Sequence, residues 1–280
     1  FFQSLHAVCR RFLVFVALPG SLGGRGVLKK PGRADVSSVF RRKHVTCGCL
    51  QCRRRTRATF RAHGPCGQIR EKCGTHLHLF FVTNGTSTSN KIVWNYAVAP
   101  GDVVVVDRNC HKSILHAITL TGAIPVFLTP TRNQYGIIGP ISKKEFSIKE
   151  IEKKIRANPL IKDKSVRPRI LTLTQSTYDG IVYNDEEIKK SLDGKVDILH
   201  FDEAWLPHAA FHPFYRNMHA IDPAKPRTKE SLVFATHSTH KLLAGISQAS
   251  QICAENSETR KLDLASFNEA FLMHTSTSPQ

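Results

Sequence analysis

Residues 232–250 read LVFATHSTHKLLAGISQAS, and the parsing of this stretch decides the fold. Leu232, Val233 and Phe234 make a short apolar run that suits a strand. Small and hydroxylated residues follow, Thr236, Ser238 and Thr239, and then the pair His240-Lys241. The apolar spacing of Leu242, Leu243 and Ile246 predicts that a helix continues from there. One lysine thus sits where a strand gives way to a helix, among hydroxyls and histidines. Hydroxyls and unpaired N–H groups at a helix start favour an anion such as phosphate. A nearby cation and partial desolvation lower a lysine pKa and make its amine a nucleophile. A phosphate cradle beside a reactive lysine is what pyridoxal 5′-phosphate (PLP) requires. A strand–loop–helix with a solvated lysine is the competing reading of these residues alone.

Outward from this stretch, the chain divides into two materials. Its 280 residues are 41% hydrophobic, enough for a core, and no apolar run reaches the ~18 residues of a membrane helix. The net charge of +18 suggests nucleic acid until it is divided. Residues 1–80 hold 16 Lys+Arg against only Asp35 and Glu71, a balance of +14; the remaining 200 residues carry +4. Cys9, Cys47, Cys49, Cys52, Cys66 and Cys73 precede residue 81, and only Cys110 and Cys253 follow.

The first eighty residues lack sustained helical or strand periodicity. A zinc module could draw on Cys47, Cys49, Cys52, His63 and Cys66, but the paired C-x2-C spacing is absent. A nucleic-acid arm could draw on Arg53, Arg54, Arg55, Arg57 and Arg61, but no aromatics are interleaved for base stacking. Phe12 to Leu18 after Arg10-Arg11 imitates a signal peptide. The favoured expectation is that 1–80 is an atypical basic, Cys-rich segment and not a native domain, and that 81–280 is the functional unit.

From residue 80 the texture becomes α/β. Strands are expected at Phe80–Val82, Val103–Val106, Ile124–Leu128, Arg169–Leu173 and Val196–Phe201. Helices are expected around Ile92–Ala97 and over Ile114–Leu120, Ser147–Arg156 and Asp185–Leu192. Such alternation argues a mostly parallel sheet covered on both faces, with ligands at the carboxyl ends of its strands. The suggestive residues stand at those ends. Thr86, Ser87 and Thr88 open a helix after one strand, His111 follows another, and Asp202 ends a third. Thr177-Tyr178-Asp179-Gly180 follows a fourth and reads as a turn. A carboxylate such as Asp202 can pair with a protonated pyridine nitrogen. Caps, turns and loop residues explain each singly; together they place hydroxyl, His, Asp and Lys at four strand ends.

Six segments carry a family resemblance: TNGTSTSNKIV (83–93), DRNCHKSILHA (107–117), STYDGIVYN (176–184), HFDEAWLPHAAFHP (200–213), ATHSTHKLLAGISQAS (235–250) and SETRKLDLASFNEAFLMHTSTSPQ (257–280). In this order and spacing they resemble the bacterial ornithine/lysine/arginine decarboxylases, PLP enzymes of fold type I. The resemblance covers 81–280 and implies a large PLP domain with a mostly parallel sheet, incomplete at both ends. It implies that Lys241 binds PLP covalently and that Ser238, His240, Ser87 and the adjoining Thr86 or Thr88 contact the phosphate. His111 would stack on the pyridine ring, Asp202 would pair with its nitrogen, and Trp205 would line the pocket. His237 and Gly245 depart from the pattern, where a polar residue such as Gln and an Ala or similar small residue are expected.

The resemblance further implies decarboxylation of a basic amino acid in the cytoplasm by a homodimer or larger homo-oligomer, without metal, nucleic acid or membrane. An aminotransferase or aldolase of the same fold, an inactive truncated decarboxylase, and a zinc or nucleic-acid module at 1–80 are the rivals.

Overall fold

Val103-Val104-Val105-Val106 is β-branched throughout and has no polar face, so it must be covered on both sides. In the computed structural model, which describes residues 76–243 and 245–275, these residues form the all-buried strand β2 (Val103–Asp107). Around it lie β1 (Leu77–Val82), β3 (Ile124–Leu128), β6 (Ile170–Thr174), β7 (Ile198–Asp202), β8 (Leu232–His237) and β9 (Ser250–Glu255). They form one seven-stranded sheet in the order β1-β9-β8-β7-β6-β2-β3. The β3, β2, β6, β7 and β8 neighbours pair in parallel, and β9 runs antiparallel to both β8 and β1. A separate hairpin joins β4 (Pro130–Arg132) to β5 (Ile138–Ile141).

The two-residue period divides the core. Val103, Val105, Leu171, Leu173, Leu199, Phe201 and Val233 pack on one face with Ile151 and Ile155 of α3 (Ile148–Ala157) and Ile188 and Leu192 of α4 (Asp185–Leu192). Val104, Val106, Ile170, Ile198, Leu232 and Phe234 face the other way, against α1 (Gly85–Ala97), α2 (Lys112–Thr121) and α6 (Leu264–His274). Ser147 caps α3 by accepting from the Glu150 N–H at 3.3 Å. Lys149, Lys153 and Arg156 of α3 are exposed, as its sequence pattern predicts, but Lys154 is half-buried, donating to Phe127 O at 2.8 Å and pairing with Glu145.

Two expectations are corrected. Strand β7 starts at Ile198, because Lys195 and Val196 N–H groups still close the turn after α4 on Leu192 O. The helix through Lys241, α5, spans only Thr239–Leu242 and does not reach Ile246. At Gly245 the chain has doubled back: its N–H donates to Thr239 O, and a Cβ there would stand 2.8 Å from the Thr239 backbone. This reversal returns the chain as β9, beside β8, and leaves Leu242 and Ile246 exposed. The segments proposed for zinc, arginine-rich binding and a signal-like start all lie outside the described residues.

Candidate active site

Five strand ends converge on a cavity of about 700 Å³, within the range of ligand pockets. Its walls come from the β1–α1 turn, the β2–α2 loop, the segment after β6, the end of β7 and the β8–α5 junction. The cavity lies at the carboxyl edge of the parallel strands.

One wall is a hydroxyl cradle. Thr86 Oγ1 lies 2.6 Å from Ser238 Oγ and 3.1 Å from Ser250 Oγ. Ser250 Oγ in turn donates to His237 O at 2.8 Å and meets Ser89 Oγ at 2.7 Å. Ser87 borders the cavity and is exposed. Thr88, grouped with these residues from sequence, is buried and does not border it. Asn84 precedes α1 without any side-chain capping bond, and the first helical N–H, that of Gly85, donates to Gln248 O at 2.7 Å. His240 Nδ1–H donates to Ala249 O at 2.8 Å, which fixes the ring's orientation.

Asp202, the last residue of β7, is 5% exposed. Asn90 Nδ2 donates to its Oδ2 at 2.9 Å, and the Ala204 N–H donates to its Oδ1 at 3.1 Å. Burial pushes the carboxyl above its ordinary range; these two donors, with His111 and Lys241, pull it back in part. His111 caps α2, its Nδ1 accepting from the Ser113 N–H at 3.2 Å. Burial, Lys241 and Lys112 push the His111 pKa down against the opposing pull of Asp202.

Lys241 projects from α5 toward two aromatic rings. Its Nζ lies 5.5 Å from the Tyr178 ring and 5.5 Å from the Trp205 ring, and it donates to Tyr178 Oη at 3.4 Å. Tyr178 and Trp205 pack with centroids 4.6 Å apart. The structure therefore brings Lys241, Asp202, His111, Thr86, Ser87, Trp205, Ser238 and His240 to one cavity and leaves out Thr88. Sequence reasoning gave Tyr178 and Asn90 no role. A Tyr at a strand-end turn, and an Asn one turn after the hydroxyl triplet, were the available signals.

The donor set fits PLP. An anion cradle, a buried carboxylate and a primary amine border one cavity. Ser176 Oγ, which also borders it, is buried with no hydrogen-bond partner among the described residues. No group of three or more His, Cys, Asp or Glu among the described residues could hold a metal.

The fold is that of the large α/β domain of the fold-type-I PLP enzymes. The family model of the Orn/Lys/Arg decarboxylase major domain matches residues 74–280, and the chain belongs to that family. The match takes in residues 74–80, upstream of the boundary expected at 81. The chain is 54% identical over 221 residues to lysine decarboxylase LdcA of Pseudomonas aeruginosa, covering 78% of this chain and 29% of that protein. It is 46% identical over 199 residues to the biodegradative arginine decarboxylase of Escherichia coli K12, covering 71% and 26%. The solved structure of lysine decarboxylase A from P. aeruginosa superposes with a TM-score of 0.70, at 54% identity over 78% of this chain and 29% of that one. The chain thus spans between a quarter and a third of the relatives it matches.

Proposed function

We propose that this domain serves a PLP-dependent decarboxylase that converts a basic amino acid to its amine and CO2. The observation that carries the reading is that Lys241 and Asp202 border the same cavity as the Thr86–Ser238 hydroxyl cradle. PLP, when bound, supplies an electron sink for the electrons released as the carboxylate departs. Thr86, Ser87, Ser238 and His240 would hold its phosphate. Asp202 would keep a proton on the pyridine nitrogen, and His111 would lie against the ring. Lys241 would anchor the cofactor through its ε-amine and yield that place to the substrate amine. Half-buried Trp205, 5.5 Å from Nζ, would screen one side of the Lys241 amine from water, while Tyr178 stays exposed. Such screening favours loss of a carboxylate, whose charge is spread as CO2 forms.

The substrate class follows from relatives named for lysine and arginine. The cytoplasm and a homo-oligomeric assembly complete the proposal. Among the described residues no helix is long and apolar enough to cross a membrane. The test is to supply lysine, arginine and ornithine to the PLP-loaded protein and assay CO2, amine and keto acid. CO2 with the matching amine is expected. Keto acid without CO2 would replace this reading with an aminotransferase.

A further inference from the structure

Beneath Asp202 a row of polar side chains interrupts the apolar face of the sheet that α1 covers. Thr172 and His200 are cross-strand neighbours on β6 and β7, and Asp202 and Thr236 are neighbours on β7 and β8. Thr172, His200 and Thr236 are all fully buried, where Ile170, Ile198, Leu232 and Phe234 otherwise form the core. From α1, Asn90 and Trp94 face this row one helical turn apart, in line with Thr86 above them.

Counting hydrogens gives every bond in the row a direction. Trp94 Nε1 can only donate, and it donates to Thr172 Oγ1 at 3.1 Å. At the far end, Asn90 Nδ2 donates to Asp202 Oδ2 at 2.9 Å and to Ser113 Oγ at 3.0 Å. An ionised carboxylate only accepts, so this amide cannot be turned over. Asn90 Oδ1 therefore faces Thr236 and accepts its hydroxyl proton at 2.8 Å. Thr236 has no second proton, so it must accept from His200 Nε2, 3.2 Å away. Burial pushes the His200 pKa down to about 3, which leaves the ring one proton, on Nε2. Its bare Nδ1 then accepts from the Thr172 hydroxyl at 3.2 Å. His111 Nδ1 accepts from the Ser113 N–H at 3.2 Å, so His111 also carries its proton on Nε2, and Ser113 Oγ, which accepts from Asn90, lies 2.9 Å from the same nitrogen.

We propose that Asn90 is the positioning residue that orients Asp202, and that neutral His200, through Thr236, holds the Asn90 amide in the required sense. The proposal rests on the reading of Asp202 as partner of the pyridine nitrogen. An alternating apolar residue at 200 would fill the core without burying a polar ring. What histidine adds is polarity: an N–H on one side and a lone pair on the other, relayed from Trp94 to the cavity across four side chains.

The test uses the full chain with 15N-labelled histidine, first without cofactor. His200 and His111 should both show the Nε2–H tautomer, with His200 untitrated at pH 5. Thr236→Val removes the hydroxyl and keeps the shape; the His200 signals should become those of mixed tautomers, while His111 stays protonated on Nε2. Thr236→Ser should restore the parent pattern. With PLP added, Thr236→Val should bind about tenfold more weakly and shift the pH dependence of the visible band, and Thr236→Ser should stay within about twofold. Should Thr236→Val not fold, the parent and Thr236→Ser spectra still decide. A parent His200 protonated on Nδ1, or a folded Thr236→Val with an unchanged His200 tautomer and PLP band, overturns the proposal. If the tautomers are as stated and Asp202→Asn leaves PLP spectra and turnover unaltered, the reading of Asp202 fails instead.

Discussion

Thr86 Oγ1 and Ser238 Oγ lie 2.6 Å apart although 152 residues separate them along the chain. The contact ties the first turn of α1 to the junction of β8 with α5, and Ser250 joins it from β9. Three segments thus present hydroxyls to one point before any ligand arrives, which reduces the ordering cost of binding. Ser238→Ala should leave the fold intact and weaken PLP binding by about tenfold, since a hydrogen bond to a charged group contributes roughly 1.5–3 kcal/mol. Fluorescence titration with PLP measures this. Unchanged affinity would place the phosphate elsewhere.

Among the described residues the lysines bordering the cavity are Lys112 and Lys241, and of these two Lys241 faces the rings of Tyr178 and Trp205. The PLP-loaded protein should absorb in the visible, and Lys241→Ala should lose that band. Borohydride should fix the cofactor to the parent protein and not to Lys241→Ala. Cofactor still reducible onto Lys241→Ala would show that another amine anchors it.

Asp202→Asn keeps the side chain's shape and removes the charge that would hold the ring proton. PLP should still bind, because the cradle is untouched, while turnover falls by orders of magnitude, on the scale of several kcal/mol of transition-state stabilisation. Steady-state kinetics decide it, and near-normal kcat would refute the assignment.

Helix α6 packs on the core through Phe267, with buried Ala270 and half-buried Phe271 beside it. Phe267 is fully buried, with centroids 4.4 Å from Phe80, 5.4 Å from Tyr96 and 5.9 Å from Phe234. Phe267→Ala should cost about 3–5 kcal/mol, the usual range for a buried aromatic truncated to alanine. A urea unfolding midpoint within error of the parent would mean that α6 contributes nothing to the described core.

Sequence patterning conveyed most of this architecture. The four consecutive valines of β2 and the Ile124–Leu128 run coincide with buried strands, since continuous β-branched stretches have few other places to go. The helix Asp185–Leu192 was legible in full because Asn184 caps it and acids fill its first turn. Strand β9 was missed. Its signal, buried Ile252 and Ala254 alternating with half-buried Gln251 and Cys253, is only one period long and lies beside the helical spacing of Leu242 and Ile246. Local pattern favoured a longer α5, and the sheet's demand for an antiparallel partner overrode it. At the site, Asp202, Lys241 and the hydroxyls were legible as chemistry. Asn90 was not, because its importance is in what it touches, and those partners come from three distant strands and helices.

His237 stands where the family pattern suggests Gln, and its Nε2 lies 2.6 Å from Glu203 Oε2. Burial opposes a charge on this ring, yet Cys253 and Glu203 outweigh it and raise the pKa to about 10. An imidazolium donates from both nitrogens, so the Gln251 group facing Nδ1 at 2.9 Å must be its carbonyl oxygen. That orientation also gives a partner to Gln251 Oε1, which is otherwise buried without one. The folded pKa lies above the unfolded value of about 6.5, so the protonated pair stabilises fully below pH 6.5 and is lost as pH rises through 10. Glu255, raised to about 7 chiefly by burial, also favours its protonated form, but its contribution is lost earlier, between pH 4.5 and 7. Urea midpoints of the parent should therefore fall in two windows. His237→Gln should flatten the fall between pH 6.5 and 10 and keep the one between 4.5 and 7. An equal slope for parent and His237→Gln above pH 7 would mean that the His237–Glu203 pair is not ionised in the folded protein.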